Sequence, residues 1–242
     1  MSEGVPPWEA PFVVDVPNMP AERHGSWDLY DPVATGRRPV VVFVHGGPLP
    51  VELPVSPRNW PVYRGYGALA AAAGVVGVTV DHPLHSLDDL PAAHAVVVQS
   101  VEAARADARV DEDRVAVWVF SGGGPLLSPW LAQPPSWLRC LAATYPVLDS
   151  RPDRVLPVGF RPIDALAADP RLPFVLTRVG RESASIADGV ARFLTAAEPG
   201  RLQIQVVDVP NGHHGFDIVD QGPESVTAVE RALELVIAAV RP

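Results

Sequence analysis

Three short strings hold the residues best suited to chemistry. Ser121 stands in Phe120-Ser121-Gly122-Gly123-Gly124, Glu182 closes Gly180-Arg181-Glu182, and two histidines stand in Asn211-Gly212-His213-His214-Gly215-Phe216-Asp217. A serine hydroxyl is a poor nucleophile near neutral pH unless a general base takes its proton. Histidine suits that task because its pKa lies near the working pH. A carboxylate then fixes the ring's tautomer and stabilises the imidazolium. Together these groups can carry out nucleophilic acyl transfer. A fourth string, His45-Gly46-Gly47-Pro48, offers backbone amides that a substrate oxygen can approach closely. Pro48 has no N–H, so Gly46 and Gly47 are its donors.

Composition narrows the chemistry further. The chain has 242 residues, 28 of them acidic and 19 basic, and every basic residue is an arginine. Without lysine there is no Schiff-base or pyridoxal-phosphate catalysis and no Walker-type phosphate loop. One cysteine, Cys140, permits no internal disulfide and no cysteine-based zinc cluster. It sits in an apolar strand and reads as a small buried hydrophobe. A net charge of −9 with scattered arginines argues against a nucleic-acid partner. The longest apolar run, 69–80, falls short of the ~18 residues that suggest a membrane span. No basic residue precedes Arg23, so the N-terminus does not read as a secretory signal and the expected location is the cytoplasm.

The elements that must position these residues follow from hydrophobic pattern. Strands are predicted at 39–47, 74–82, 114–121, 138–147, 173–180 and 202–210, each a β-branched or apolar run suited to a sheet buried on both faces. Helical patterns fall between them at 63–73, 87–108, 123–131, 183–197 and 224–240. Two earlier strands, 12–16 and 26–30, flank a turn at Pro17, Asn18 and Pro20 and predict an N-terminal antiparallel hairpin. Residues 1–11 read as an extended proline-rich arm. The pattern is one α/β domain over 1–242, with a mostly parallel, doubly wound sheet whose chemistry gathers at the strands' carboxyl ends. Ser121, between a strand and a helix with glycine two places on, fits a nucleophile elbow. The Gly122 amide then points into the space above the serine.

From Pro39 onward the chain resembles the α/β-hydrolases, in particular the dienelactone-hydrolase and esterase-like group. HGG resembles the oxyanion loop, FSGGG the elbow, VGRE the acid turn and HHGFD the histidine loop. The resemblance implies Ser121 as nucleophile, His214 as base, Glu182 as acid, and Gly47 and Gly122 as oxyanion donors, with no cofactor and no metal. Val119 stands where the family pattern has a small residue, and glutamate stands where aspartate is commoner.

Alternatives stay open at several positions. His213 competes with His214, and Asp149 and Asp188 compete with Glu182. His45, His82 and His85 read as loop-packing residues, because they lack the helical pair and carboxylate of a zinc site. The proline-stiffened segment 48–60 follows the oxyanion loop, and Leu49, Val51, Leu53 and Trp60 are expected to wall an apolar substrate pocket or else to pack on the arm. Arg178 is expected to hold a substrate carboxylate or a structural ion pair. Only 24 residues, 149–172, separate the strand before Asp149 from the next, too few for a large lid. The expected activity is hydrolysis of a small carboxylic ester or lactone. Peptidase, thioesterase, acyl-transfer or cyclising chemistry would use the same residues, and a non-catalytic ligand-binding protein is the reading from a different class. The expected partner is a small-molecule substrate, and an edge strand or the last helix can support a homodimer.

Overall fold

A computed structural model describes residues 5–33, 35–168, 170–198, 200 and 202–241. Its frame is one sheet of eight strands. In chain order the elements are β1 (Glu22–His24), β2 (Trp27–Tyr30), β3 (Arg38–Val44), α1 (Pro61–Ala72), β4 (Val76–Val80), α2 (Leu90–Arg105), β5 (Val110–Phe120), α3 (Ser128–Ala132) and β6 (Leu138–Thr144). Then come α4 (Pro162–Ala165), β7 (Pro173–Arg181), α5 (Ala184–Ala197), β8 (Gln203–His213), α6 (Phe216–Val219) and α7 (Pro223–Val240). The spatial order is β1-β2-β4-β3-β5-β6-β7-β8. Pairings from β4 to β8 are parallel, and β2 joins both neighbours antiparallel.

This order creates the crevice that holds the site. The chain moves outward from β3 to β4, then α2 carries it back across β3 to β5. Winding reverses between β3 and β5, so the loops leaving their carboxyl ends diverge. The His45–Pro48 string follows β3, and Ser121 follows β5.

Both sheet faces are covered. Val40, Val42 and Val44 of β3, with Val115, Val117 and Val119 of β5, pack against Val97 of α2 and Phe193 of α5. Their neighbours Val41, Phe43, Ala116, Trp118 and Phe120 pack on the opposite face against Tyr66 of α1 and Val229 and Val236 of α7. Successive strand residues point to opposite faces, so continuous apolar runs are what such a sheet requires. Each large side chain removed from water contributes about 1.5–3 kcal/mol. Among the described residues no helix is long and apolar enough to cross a membrane.

Three expectations are corrected. The N-terminal hairpin forms, but from β1 and β2 around a tight Gly25–Ser26 turn, and 12–16 is no strand. That segment crosses α1 instead. The Phe12 ring lies 4.9 Å from the Tyr66 ring, and the Val13 amide donates to the Asp217 carbonyl at 3.0 Å. The first four residues of the predicted arm lie outside the described residues. The rest is turned rather than extended, with the Glu9 and Ala10 amides both donating to the Pro6 carbonyl. The helix predicted at 123–131 divides into a 3-10 segment, Ser121–Leu127, followed by α3. Three glycines and Pro125 hold down its α-helical tendency. Between β6 and β7 the described residues contain α4, one 3-10 turn, Leu166–Ala168, and an isolated bridge between Arg151 and Arg154.

Candidate active site

Ser121 turns the chain sharply. Phe120 is extended, at φ −124° and ψ 140°, and Ser121 follows at φ 50°. A left-handed serine is strained by about 1–3 kcal/mol and persists only where its surroundings fix it. Here the strand, the 3-10 segment and the β3 loop do so together. A β-carbon on Gly122 would stand 1.6 Å from the Gly47 carbonyl oxygen, so the two candidate oxyanion residues touch and Gly122 admits no side chain, while a β-carbon on Gly47 would crowd Leu84 at 3.0 Å. The Val147 amide ties the next loop to the elbow by donating to the Ser121 carbonyl at 2.9 Å. Val119 is fully buried, and a β-carbon placed on Gly123 would lie 3.6 Å from Val119 Cβ, an ordinary contact. The bulky residue two before the serine therefore fits.

From the serine a chain of hydrogen bonds runs through one histidine to one carboxylate. Ser121 Oγ lies 2.7 Å from His214 Nε2, and His214 Nδ1 lies 2.6 Å from Glu182 Oε2. An ionised carboxylate only accepts, so Nδ1 carries the ring proton and Nε2 is left to accept from the serine hydroxyl. Burial pushes the Glu182 carboxyl upward, but the bond from His214 and one from the Ser183 amide at 2.7 Å outweigh it. Its pKa lies below the ordinary value.

Strand register brings these groups together. β8 continues past its predicted end at Pro210 to His213, and an irregularity after Val179 sets Arg181 opposite His213. The next residue of each chain, Glu182 and His214, therefore emerges beside the other.

The competing residues are occupied elsewhere. The His213 amide and Nδ1 both bond Asp220, at 2.6 and 2.9 Å, which turns that ring away. Asp149 is buried and clamped by Arg161 Nε at 2.5 Å and Arg192 Nε at 2.6 Å. Asp188 is exposed on α5.

The β3 loop is fastened by neutral histidines. The His45 and His82 rings stack at 3.8 Å, and the His82 amide donates to His45 Nε2 at 3.3 Å. His45 Nδ1–H then donates to the Gly46 carbonyl at 2.6 Å. Burial lowers the His45 pKa to about 4 and that of His82 well below its ordinary value. The Gly46 amide points to the Tyr63 hydroxyl at 3.4 Å. Of the two loop amides, Gly46 is thus engaged by a tyrosine, while Gly47 lies against Gly122.

The expected substrate wall is corrected in part. Trp60 is buried, its indole N–H donates to the Val55 carbonyl at 2.9 Å, and its ring sits 6.3 Å from Trp8 and 6.0 Å from Tyr63. Leu49 packs half-buried on the same layer, and its amide donates to the Leu84 carbonyl at 2.9 Å. The segment packs on the arm because its aromatic and aliphatic groups find a core there. Arg178 pairs with Asp208 of β8, Nε to Oδ1 at 2.5 Å. It also lines a cavity of about 230 Å³ beside Glu182, walled by Tyr145, Val179, Ile186 and Val190. Sequence reasoning missed this cavity and missed Tyr145, whose ring lies 4.7 Å from that of His214. The available signal was a tyrosine at the carboxyl end of a predicted strand, directly before a proline.

No protein-family model matches the sequence, and no curated protein matches it. Solved structures do. The thermostable carboxylesterase EstE1, cloned from a metagenomic library, superposes with a TM-score of 0.73 at 17% identity, over 95% of this chain and 92% of that one. A mutant of the esterase rPPE gives 0.75 at 16% identity, over 95% and 86%. An acylaminoacyl peptidase from Pyrococcus horikoshii gives 0.74 at 14% identity, over 94% of this chain and 42% of that one. Likeness at such identities speaks for architecture alone, and the architecture of this chain is the α/β-hydrolase fold.

Proposed function

We propose that the protein is a serine hydrolase that cleaves a small carboxylic ester or lactone through an acyl-serine intermediate. The observation that carries this reading is the continuous chain Ser121–His214–Glu182, with links of 2.7 and 2.6 Å at the carboxyl ends of three strands. Ser121 Oγ attacks the carbonyl carbon while its proton passes to His214 Nε2. Glu182 holds the ring and stabilises the imidazolium. The amides of Gly47 and Gly122 receive the developing oxyanion, a donor of this kind contributing ~2.7–4 kcal/mol to the transition state. Collapse re-forms the carbonyl and breaks the bond between its carbon and the alkoxy oxygen, and His214 gives the proton to the leaving alkoxide. Water, deprotonated by His214, then releases the acid and restores Ser121. The short β6–β7 connection and the 230 Å³ cavity favour a small substrate.

A fluorophosphonate should label Ser121 and no other residue, and Ser121→Ala should abolish both labelling and p-nitrophenyl ester turnover. Folded protein that stays unlabelled defeats the reading. The likeness to an acylaminoacyl peptidase favours a second reading, in which the same groups cleave an amide. Faster turnover of amino-acyl amides than of p-nitrophenyl esters would decide for it.

A further inference from the structure

A buried polar layer lies under the His214 ring, and the proposed chemistry does not use it. Asp217, three residues after the histidine, has no exposed surface. Two tyrosine hydroxyls donate to its carboxylate. Tyr66 of α1 reaches Oδ2 at 3.0 Å, and Tyr145 reaches Oδ1 at 2.8 Å and Oδ2 at 3.0 Å. A buried carboxylate is costly to keep, and apolar packing of the same shape is often as stable.

Tyr145 is unusual in its own right. It adopts φ 39°, a left-handed conformation that a tyrosine takes only under constraint. Its amide donates to the Thr177 carbonyl of β7 at 2.8 Å, and its ring meets Phe216 edge-on at 5.9 Å. One residue therefore bonds the strand that leads to Glu182, bonds Asp217 of α6 just after His214, and sets its ring 4.7 Å from the imidazole at a tilt of 53°.

Two hydrogen bonds, one on each ring nitrogen, and the tether to Cβ leave the imidazole some freedom to tilt, which contact with a neighbouring ring narrows. The Tyr145 ring, tilted 53° to the imidazole at 4.7 Å between centroids, supplies such a contact. We propose that Tyr145, anchored by Asp217, is a positioning residue that sets the orientation of the His214 ring toward Ser121. The proposal rests on the serine-hydrolase reading, and its test separates the two.

The probes are the rate of Ser121 labelling by a fluorophosphonate, kcat and KM on a p-nitrophenyl ester, and the proton NMR resonance of His214 Nδ1–H. Tyr145→Phe keeps the ring and removes its anchor. It should slow labelling and lower kcat about tenfold, short of the ~10²-fold cost of a 1 Å misplacement, with KM nearly unchanged and the Nδ1 resonance shifted or broadened. Tyr66→Phe takes the other hydroxyl from the same carboxylate but leaves Tyr145 anchored, so it should lower the melting temperature while labelling stays within about twofold of the unmodified protein. If both variants slow labelling equally, or if Tyr145→Phe leaves rate and resonance unchanged, the layer is merely structural and the proposal is wrong. Should Tyr145→Phe fail to fold, Asp217→Asn weakens the same anchor at constant shape. A loss in the same direction then supports the proposal, and an unchanged rate and resonance overturn it. An unlabelled unmodified protein would instead overturn the hydrolase reading, while the resonance would still report whether Tyr145 orients the ring.

Discussion

At the scale of single residues, two carboxylates compete for one role and their partners separate them. Glu182 accepts from His214, whereas Asp149 accepts from two arginines and the Ser150 amide. Glu182→Gln should lower kcat about 10³–10⁴-fold with little change in stability, because the amide presents a donor where the imidazole needs an acceptor and so favours the wrong tautomer. Asp149→Asn should do the reverse. It leaves kcat within a few-fold but costs about 1–3 kcal/mol in urea unfolding, since two guanidinium groups lose a charged partner. The partial exposure of both arginines keeps that cost toward the lower end. The serine, the candidate oxyanion glycines and the histidine string are legible in the sequence because backbone geometry demands glycine around them. The destinations of Trp60 and Tyr145 are not. A side chain's neighbours across the fold depend on the path of the whole chain, and nothing local to Trp60 announces that Trp8 will meet it.

At the scale of elements, the elbow is a junction of two loops rather than a property of one. The Gly122 α-carbon rests on the Gly47 carbonyl, so one loop templates the other. Gly122→Ala should therefore push the loops apart and lower kcat about 10²–10³-fold, the cost of losing an oxyanion donor, while circular dichroism shows a folded protein. Similar kcat values for the variant and the unmodified protein would mean that the contact has no catalytic weight. The central strands were readable as elements because their apolar runs have no other use. Of the N-terminal hairpin, the second strand lies where the sequence puts it, whereas 12–16 looks β-prone but owes its burial to packing on α1. The helix after Ser121 was readable in position but not in kind, since three glycines and Pro125 favour a tighter 3-10 turn.

At the scale of the whole molecule, one buried charge shapes the response to pH. Burial raises the Asp217 pKa from 3.8 to about 6, against the pull of its two tyrosine partners. Between those values the folded protein holds a proton that the unfolded chain has released. The stability linked to this group is therefore fully present below about pH 4 and declines as pH rises through about 6, with no further change above. Carboxyls with lowered pKa, Asp107 and Glu182 among them, give the opposite slope. The informative quantity is thus a difference. The gap in unfolding free energy between Asp217→Asn and the unmodified protein should shift in favour of the variant as pH rises from about 4 to 6, and a pH-independent gap would show that Asp217 does not titrate there.

The sheet order has a consequence of a different kind. β8 is an edge strand, bonded on one side only, and His214 follows its last residue, while Ser121 follows β5 near the centre. An outer strand frays at a lower free energy than an inner one. The groups proposed to meet in catalysis are thus mounted at the edge and at the centre of the sheet. Warming should loosen the peripheral support first and take His214 out of reach of Ser121 while the middle of the sheet is still intact. Loss of p-nitrophenyl ester turnover at a lower temperature than the loss of far-UV circular dichroism is the expected outcome, and coincident losses would refute it.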